Sequence, residues 1–199
     1  MKILTASDIH ADKNAVKKLA NKAAREKADL VILAGDLTYF DMDWKGMIGP
    51  FLEKKKQVLF VPGNHDSLGT AAVLVKKYDI KNLQDYSVII DDVGFFGCGG
   101  ANIGLNFTDE DDFFETLYRG FRYIKNAKKK VMVTHLHPSG SMVEKKGGFE
   151  GSEAIRKAIE TFKPDVHIFG HIHETEGLEE KIDNTVSICT GKKGKIVEV

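Results

Sequence analysis

Five short apolar runs in this chain each end in an Asp, Asn or His, and nothing else in the sequence narrows its fold as far. KILTAS (2–7) runs into Asp8-Ile9-His10, and DLVILA (29–34) into Gly35-Asp36. QVLFV (57–61) meets Pro62-Gly63-Asn64-His65-Asp66, VMVT (131–134) meets His135, and DVHIF (165–169) meets Gly170-His171-Ile172-His173. Runs of this length, rich in Val, Ile, Leu and Phe and closed by turn residues, read as strands. Between the first two lies KNAVKKLANKAAREK, with Val16, Leu19, Ala20, Ala23 and Ala24 on one helical stripe. Strands separated by amphipathic helices pair in parallel through crossovers, and strands without polar alternation belong to sheets covered on both faces. Ligands of open α/β sheets bind at the carboxyl ends of strands, so the five polar ends are expected to meet in one crevice.

The remaining patterns extend the same architecture. SVIIDDVGFFG (87–97) reads as two short strands turning at Asp91-Asp92, and helices are expected near 109–127 and 152–162. The acidic cluster 109–112 then sits at a helix N-terminus, where carboxylates complement the dipole. Three closing strands near 175–181, 185–189 and 194–198 leave no room for helices and are expected to run antiparallel. No repeat or linker divides the chain, and 199 residues suffice for one sizeable core. Residues 1–199 are therefore read as a single α/β domain, pictured from spacing as one sheet flanked by helices.

The strand-end residue types select the chemistry. Carboxylate, imidazole and amide oxygen suit Mn, Fe, Zn, Ni or Co, with Mn placed first, whereas a thiolate zinc site needs more than two cysteines. Asp8, His10, Asp36, Asn64, His135, His171 and His173 are too many for one ion with an open position. Shared between two ions with one bridging carboxylate, they give each about four ligands and room for water, the clamp used in phosphate-ester hydrolysis. Any one fragment is weak, since Gly, Asn and Asp favour turns regardless of function. The set is stronger: five of the seven histidines stand in these motifs. Of the other two, His167 lies inside a strand and reads as a packing histidine, whereas His137 competes with His135 as ligand. His135 is chosen because it follows the strand directly.

Twenty-nine basic and twenty-nine acidic residues cancel, so no net charge draws the chain to nucleic acid or anionic membrane, and no aromatic-plus-basic stripe marks a nucleic-acid path. No stretch has the roughly 18 apolar residues of a membrane span. MKILTASDIH lacks the features of a signal peptide, so Cys98 and Cys189 are read as reduced and a cytoplasmic location is expected.

The order Asp-X-His, Gly-Asp, Gly-Asn-His-Asp, His, Gly-His-X-His, spanning residues 8 to 173, resembles the calcineurin-like metallophosphoesterase family. The resemblance implies a sandwich of two mixed sheets flanked by helices in place of one sheet. It implies that Asp8, His10, Asp36 and His173 hold one divalent ion, and Asp36, Asn64, His135 and His171 the other, with Asp36 bridging. It further implies that metal-activated hydroxide attacks a phosphate ester in line, that His65 protonates the leaving oxygen or contacts phosphate, and that Asp66 orients His65. The expected substrate is a small phosphate ester, a diester before a monoester, because no Arg or Lys stands beside the five motifs. Residues 98–112 and 138–150 are the expected substrate loops, with Arg119, Arg122, Lys145 and Lys146 as candidate contacts. Two rivals share the fold: a protein-binding scaffold, which would lack the His of Asn-His-Asp or several ligands, and a nuclease, which would carry an added DNA-binding domain.

Overall fold

The computed structural model describes residues 1–84 and 86–199. Its first part alternates strand and helix: β1 (Lys2–Ala6), β2 (Leu30–Ala34), β3 (Gln57–Val61) and the short β4 (Lys81–Asn82) pair in parallel in that order. The crossovers carry α1 (Lys13–Arg25), α2 (Gly49–Glu53) and α3 (Leu68–Tyr78). Asp12 starts α1 by accepting hydrogen bonds from the Asn14 and Ala15 amides, and the helix buries Val16, Leu19, Ala20 and Ala23.

A second sheet follows, built from β5 (Val88–Ile90), β6 (Val93–Cys98), β7 (Lys129–Thr134), β8 (Val166–Phe169), β9 (Glu179–Ile182) and β10 (Thr185–Cys189), with α4 (Glu110–Ile124), α5 (Met142–Gly147) and α6 (Glu153–Phe162) between them. Its spatial order is β5-β6-β7-β8-β10-β9, with β6, β7, β8 and β10 mutually parallel. β11 (Lys195–Glu198) then returns to pair antiparallel with β1 at the edge of the first sheet. The turn between β5 and β6 falls at Asp91 and Asp92, both at positive φ. Asp109 caps α4 by accepting from the Asp112 amide.

The missing polar alternation now has its cause. Leu4, Val31, Leu33, Val58 and Phe60 point one way and pack with Val16 and Leu19 of α1. Their neighbours Ile3, Leu30, Ile32, Leu59 and Val61 point the other way, into a layer shared with Phe95, Val131, Val133 and Ile168 of the second sheet. The outer face of that sheet, with Phe96 and Met132, packs on Phe113 and Leu117 of α4 and Ile155 and Ile159 of α6. The result is four layers, helix–sheet–sheet–helix, as the family resemblance implied, and the one-sheet picture is corrected.

A second correction concerns the closing strands. The segment from 175 begins as a 3-10 turn, His173–Thr175, and becomes strand only at Glu179. β9 and β10 are antiparallel, but β10 runs parallel to β8, and β11 joins the other sheet. A parallel return needs no helix here, because β9 itself is the connection and ends up outside β10 as the edge strand.

Candidate functional site

Four of the strand-end residues turn their side chains into the crevice by adopting a backbone conformation most residues avoid. Asp8, His10, Asp36 and His171 have φ of 53°, 47°, 53° and 74°. Such left-handed conformations cost about 1 kcal/mol or more and persist where surrounding structure over-determines them. The Asp8 amide donates to Gly35 O at 3.0 Å, and the His10 amide to Asp36 O at 2.9 Å, so the β1 and β2 loops fix each other. Gly63 is required by proximity, since a Cβ there would run into the Asp36 backbone and carboxylate.

Asp36 is the centre of the arrangement. Its Oδ2 lies 3.4 Å from His135 Nε2, 3.7 Å from His10 Nε2 and 3.9 Å from His65 Nε2. Its Oδ1 accepts the His65 amide at 2.9 Å. On one side, His10 Nε2 stands 3.1 Å from His173 Nε2, which is 3.5 Å from Asp8 Oδ1. On the other, His135 Nε2 stands 3.0 Å from Asn64 Oδ1. His171 packs against His135 with ring centroids 5.1 Å apart, and its amide donates to both Asp8 oxygens. Three sets of donor atoms lie within 4.8 Å of one another: Asp8, His10 and His173; His10, Asp36 and His65; Asp8, Asp36 and His135.

The electrostatics suit a cation. Asp8, Asp36, Asn64 and His135 are all buried. Burial opposes ionisation of Asp36, yet His135 beside it holds the carboxyl well below the usual carboxylate range. Burial likewise opposes charge on His135, and Asp36 overrides it and raises the imidazole. Burial pushes His171 down to about 3 and also lowers His10, while the Asp8 hydrogen bond raises His173. Buried carboxylates and imidazoles facing one another through nitrogen and oxygen lone pairs, with no thiolate among them, match borderline divalent ions.

The expectations for Asp66, Arg119 and Arg122 need restating. Asp66 does not touch the His65 ring: its buried carboxylate accepts from the Leu37, Thr38 and Gly63 amides and from Thr38 Oγ1. It therefore clamps the β2 loop to the β3 loop, and burial raises its carboxyl pKa with Asp36 adding to the shift. His65 is held instead by rings, with Phe40 at 4.2 Å and Tyr39 stacked at 5.5 Å. Arg119 lines a separate groove with Tyr86 and Tyr123, and Arg122 lies over Tyr118. His137 is buried, with Nε2 donating to Phe149 O at 3.0 Å, and His167 lies in the second sheet between Thr134 and Ser187.

Beside the donor cluster opens a cleft of about 590 Å³, lined by Asn64, His171 and His173 and by Ile103, Phe149, Glu150 and Glu174. None of the described residues lining it is Lys or Arg, so Lys145 and Lys146 of α5 stay outside it. The sequence marked the loops that supply Ile103 and Phe149 only by their length. Tyr39 and Phe40 carried no signal at all, because their role depends on the β3 loop folding against them.

A family model described as calcineurin-like phosphoesterase matches residues 1–175. A UPF0046 protein of Caenorhabditis elegans is 27% identical over 200 residues, covering 89% of this chain, which spans 65% of that relative's length. Among solved structures, TT1561 of Thermus thermophilus superposes with a TM-score of 0.78 at 18% identity, covering 96% of this chain and 90% of that one. A dimetal phosphatase from Danio rerio gives 0.64 at 10% identity, covering 96% and 88%. No helix among the described residues is long and apolar enough to cross a membrane.

Proposed function

The chain belongs to the calcineurin-like phosphoesterase family, and from that premise we propose that it hydrolyses a phosphodiester at a pair of divalent ions. The observation that carries this reading is the single Asp36 oxygen facing three imidazole nitrogens, a bridging position between two donor sets. Asp8, His10, Asp36 and His173 would hold one ion, and Asp36, Asn64, His135 and His171 the other. Bound there, the ions polarise phosphoryl oxygens and lower the pKa of water toward neutrality. The dimetal phosphatase of Danio rerio, alike in fold, supports the stoichiometry.

The protein's own groups do the rest. Asp36 Oδ1 ties down the His65 amide, and Tyr39 and Phe40 confine the ring, so His65 Nε2 is held at the edge of the cluster. There it can carry the proton that the leaving oxygen requires. Among the described residues, the neighbouring cleft offers Glu150 and Glu174 and no fixed cation. That setting disfavours a monoester, which carries close to two negative charges at neutral pH, relative to a singly charged diester.

With Mn²⁺ supplied, bis-nitrophenyl phosphate should be hydrolysed at least as efficiently as the mono-nitrophenyl ester, chelator should abolish both activities, and elemental analysis should find two ions per chain. A monoester preference above about tenfold, or 1.4 kcal/mol of transition-state binding, overturns the diester assignment. No more than one ion at saturating Mn²⁺ overturns the dinuclear one.

A further inference from the structure

The cleft beside the donor cluster is walled by side chains that folding ordinarily hides. Ile103 and Phe149 are each 61% exposed, come from different loops, and line the same cleft as Asn64, His171 and His173. Leu105 and Phe107 are exposed on the Ile103 loop, and Tyr39 and Phe40 are exposed beside His65. Two large exposed apolar side chains brought from separate loops to one cleft, rather than scattered singly, mark a binding surface.

One wall is anchored to a residue of the centre and the other to a neighbour of one. The Leu105 amide donates to Asn64 O at 2.8 Å. Gly104, at φ 94°, lets the loop approach so closely that a Cβ would strike the Asn64 backbone. The buried His137 donates to Phe149 O at 3.0 Å from the β7 loop that also carries His135. Glu150 and Glu174 make the cleft unwelcoming to a second phosphate. Its volume of about 590 Å³ falls within the range of small-molecule pockets, roughly 300–1,000 Å³.

We infer that the cleft takes the ester limb that stays on phosphorus, and that this limb is a neutral aromatic group lodged between Ile103 and Phe149. The inference rests on the phosphodiester reading above, and names which kind of diester. His137 acts as a positioning residue for the Phe149 wall.

The test varies only the spectator limb, comparing methyl and phenyl esters of nitrophenyl phosphate on the Mn²⁺-loaded protein. Both release the same nitrophenol, so the leaving-group chemistry is constant. The phenyl ester should have the higher kcat/KM by about tenfold or more, the scale on which apolar pockets discriminate. The ratio should collapse toward one in Phe149→Ala and shrink in Ile103→Ser. Binding gives an independent readout: emission from a Phe149→Trp variant should change on adding diphenyl phosphate and not dimethyl phosphate. Equal efficiencies on the two esters, or a ratio that survives Phe149→Ala combined with Ile103→Ser, overturns the inference and leaves the phosphodiesterase reading standing. If neither ester is hydrolysed by metal-loaded protein, the phosphodiesterase reading fails. The emission of Phe149→Trp then decides the apolar cleft alone: selective response to diphenyl phosphate upholds it, and no selectivity overturns it.

Discussion

Asp36 uses its two carboxylate oxygens for different purposes, one for the His65 amide and one for the imidazoles around it. Asp36→Asn keeps the shape and removes the charge, so metal content should fall from two ions toward at most one per chain. Two ions retained by the variant, measured by elemental analysis, would deny the bridging role. His65→Ala should leave metal content nearly unchanged and lower turnover by about 10²–10⁴-fold for poor leaving groups, less for nitrophenyl esters that hardly need a proton. An equal loss across leaving groups would mean that His65 only contacts phosphate. At this scale the sequence was informative because residue type and strand-end position both survive folding unchanged. The family resemblance assigned Asp66 to orient His65, a role its hydrogen bonds do not display. In the fold that carboxylate turns the other way, to donors near Leu37 that lie 29 positions upstream.

Elements deliver these groups, and the loops between them are where the delivery could fail. Asp66 alone satisfies three amides and one hydroxyl belonging to two loops. Asp66→Ala would leave the three buried amides without partners at about 1–3 kcal/mol each, whereas Thr38 Oγ1 still has His65 O within 3.2 Å. Urea denaturation should therefore show a loss of at least about 3 kcal/mol, accompanied by weaker metal retention. Unchanged stability with reduced turnover would instead restore the orienting role toward His65. Helix α1 was legible because its stripe is long and regular, and β5–β6 because two Asp residues tolerate the positive φ of a tight turn. α3 and α5 were not: each buries only one or two side chains, which leaves no periodicity to read.

For the whole molecule, both faces of both sheets are apolar, so the pattern that announced strands could not say which face met which layer. Sheet membership was hidden for the same reason, since β10 docks beside β8 and β11 beside β1 through contacts that local sequence does not encode. Inside the second sheet His167 forms a buried polar group with Thr134 and Ser187. Thr134 Oγ1 donates to Leu136 O at 2.7 Å, so it accepts from His167 Nε2 at 2.8 Å, and Ser187 Oγ donates to Nδ1 at 2.9 Å. The neutral ring is thus fully satisfied, and burial, with His137 nearby, pushes its pKa from 6.5 down to about 3. The unfolded chain binds the proton first, so this contribution to stability is complete above pH 6.5 and drains away as pH falls toward 3. At about 1.4 kcal/mol per pH unit, the loss from this residue by pH 5 is about 2 kcal/mol. His167→Gln should be less stable near pH 8 yet show an acid limb flatter by that amount in denaturant titrations. Identical slopes for the two proteins would remove His167 as the cause.

His10 and His173 face each other at 3.1 Å from positions 163 residues apart in the chain. On a ribosome adding about 5–20 residues per second, the first of them emerges roughly 8–33 s before the second. Through that interval Asp8, His10 and Asp36 lack the His171 and His173 that later complete the cluster. The donor set becomes complete only once β8 and the turn after it that carries His171 and His173 have been made and docked, so on the dinuclear reading both ions would be held together only at the end of translation.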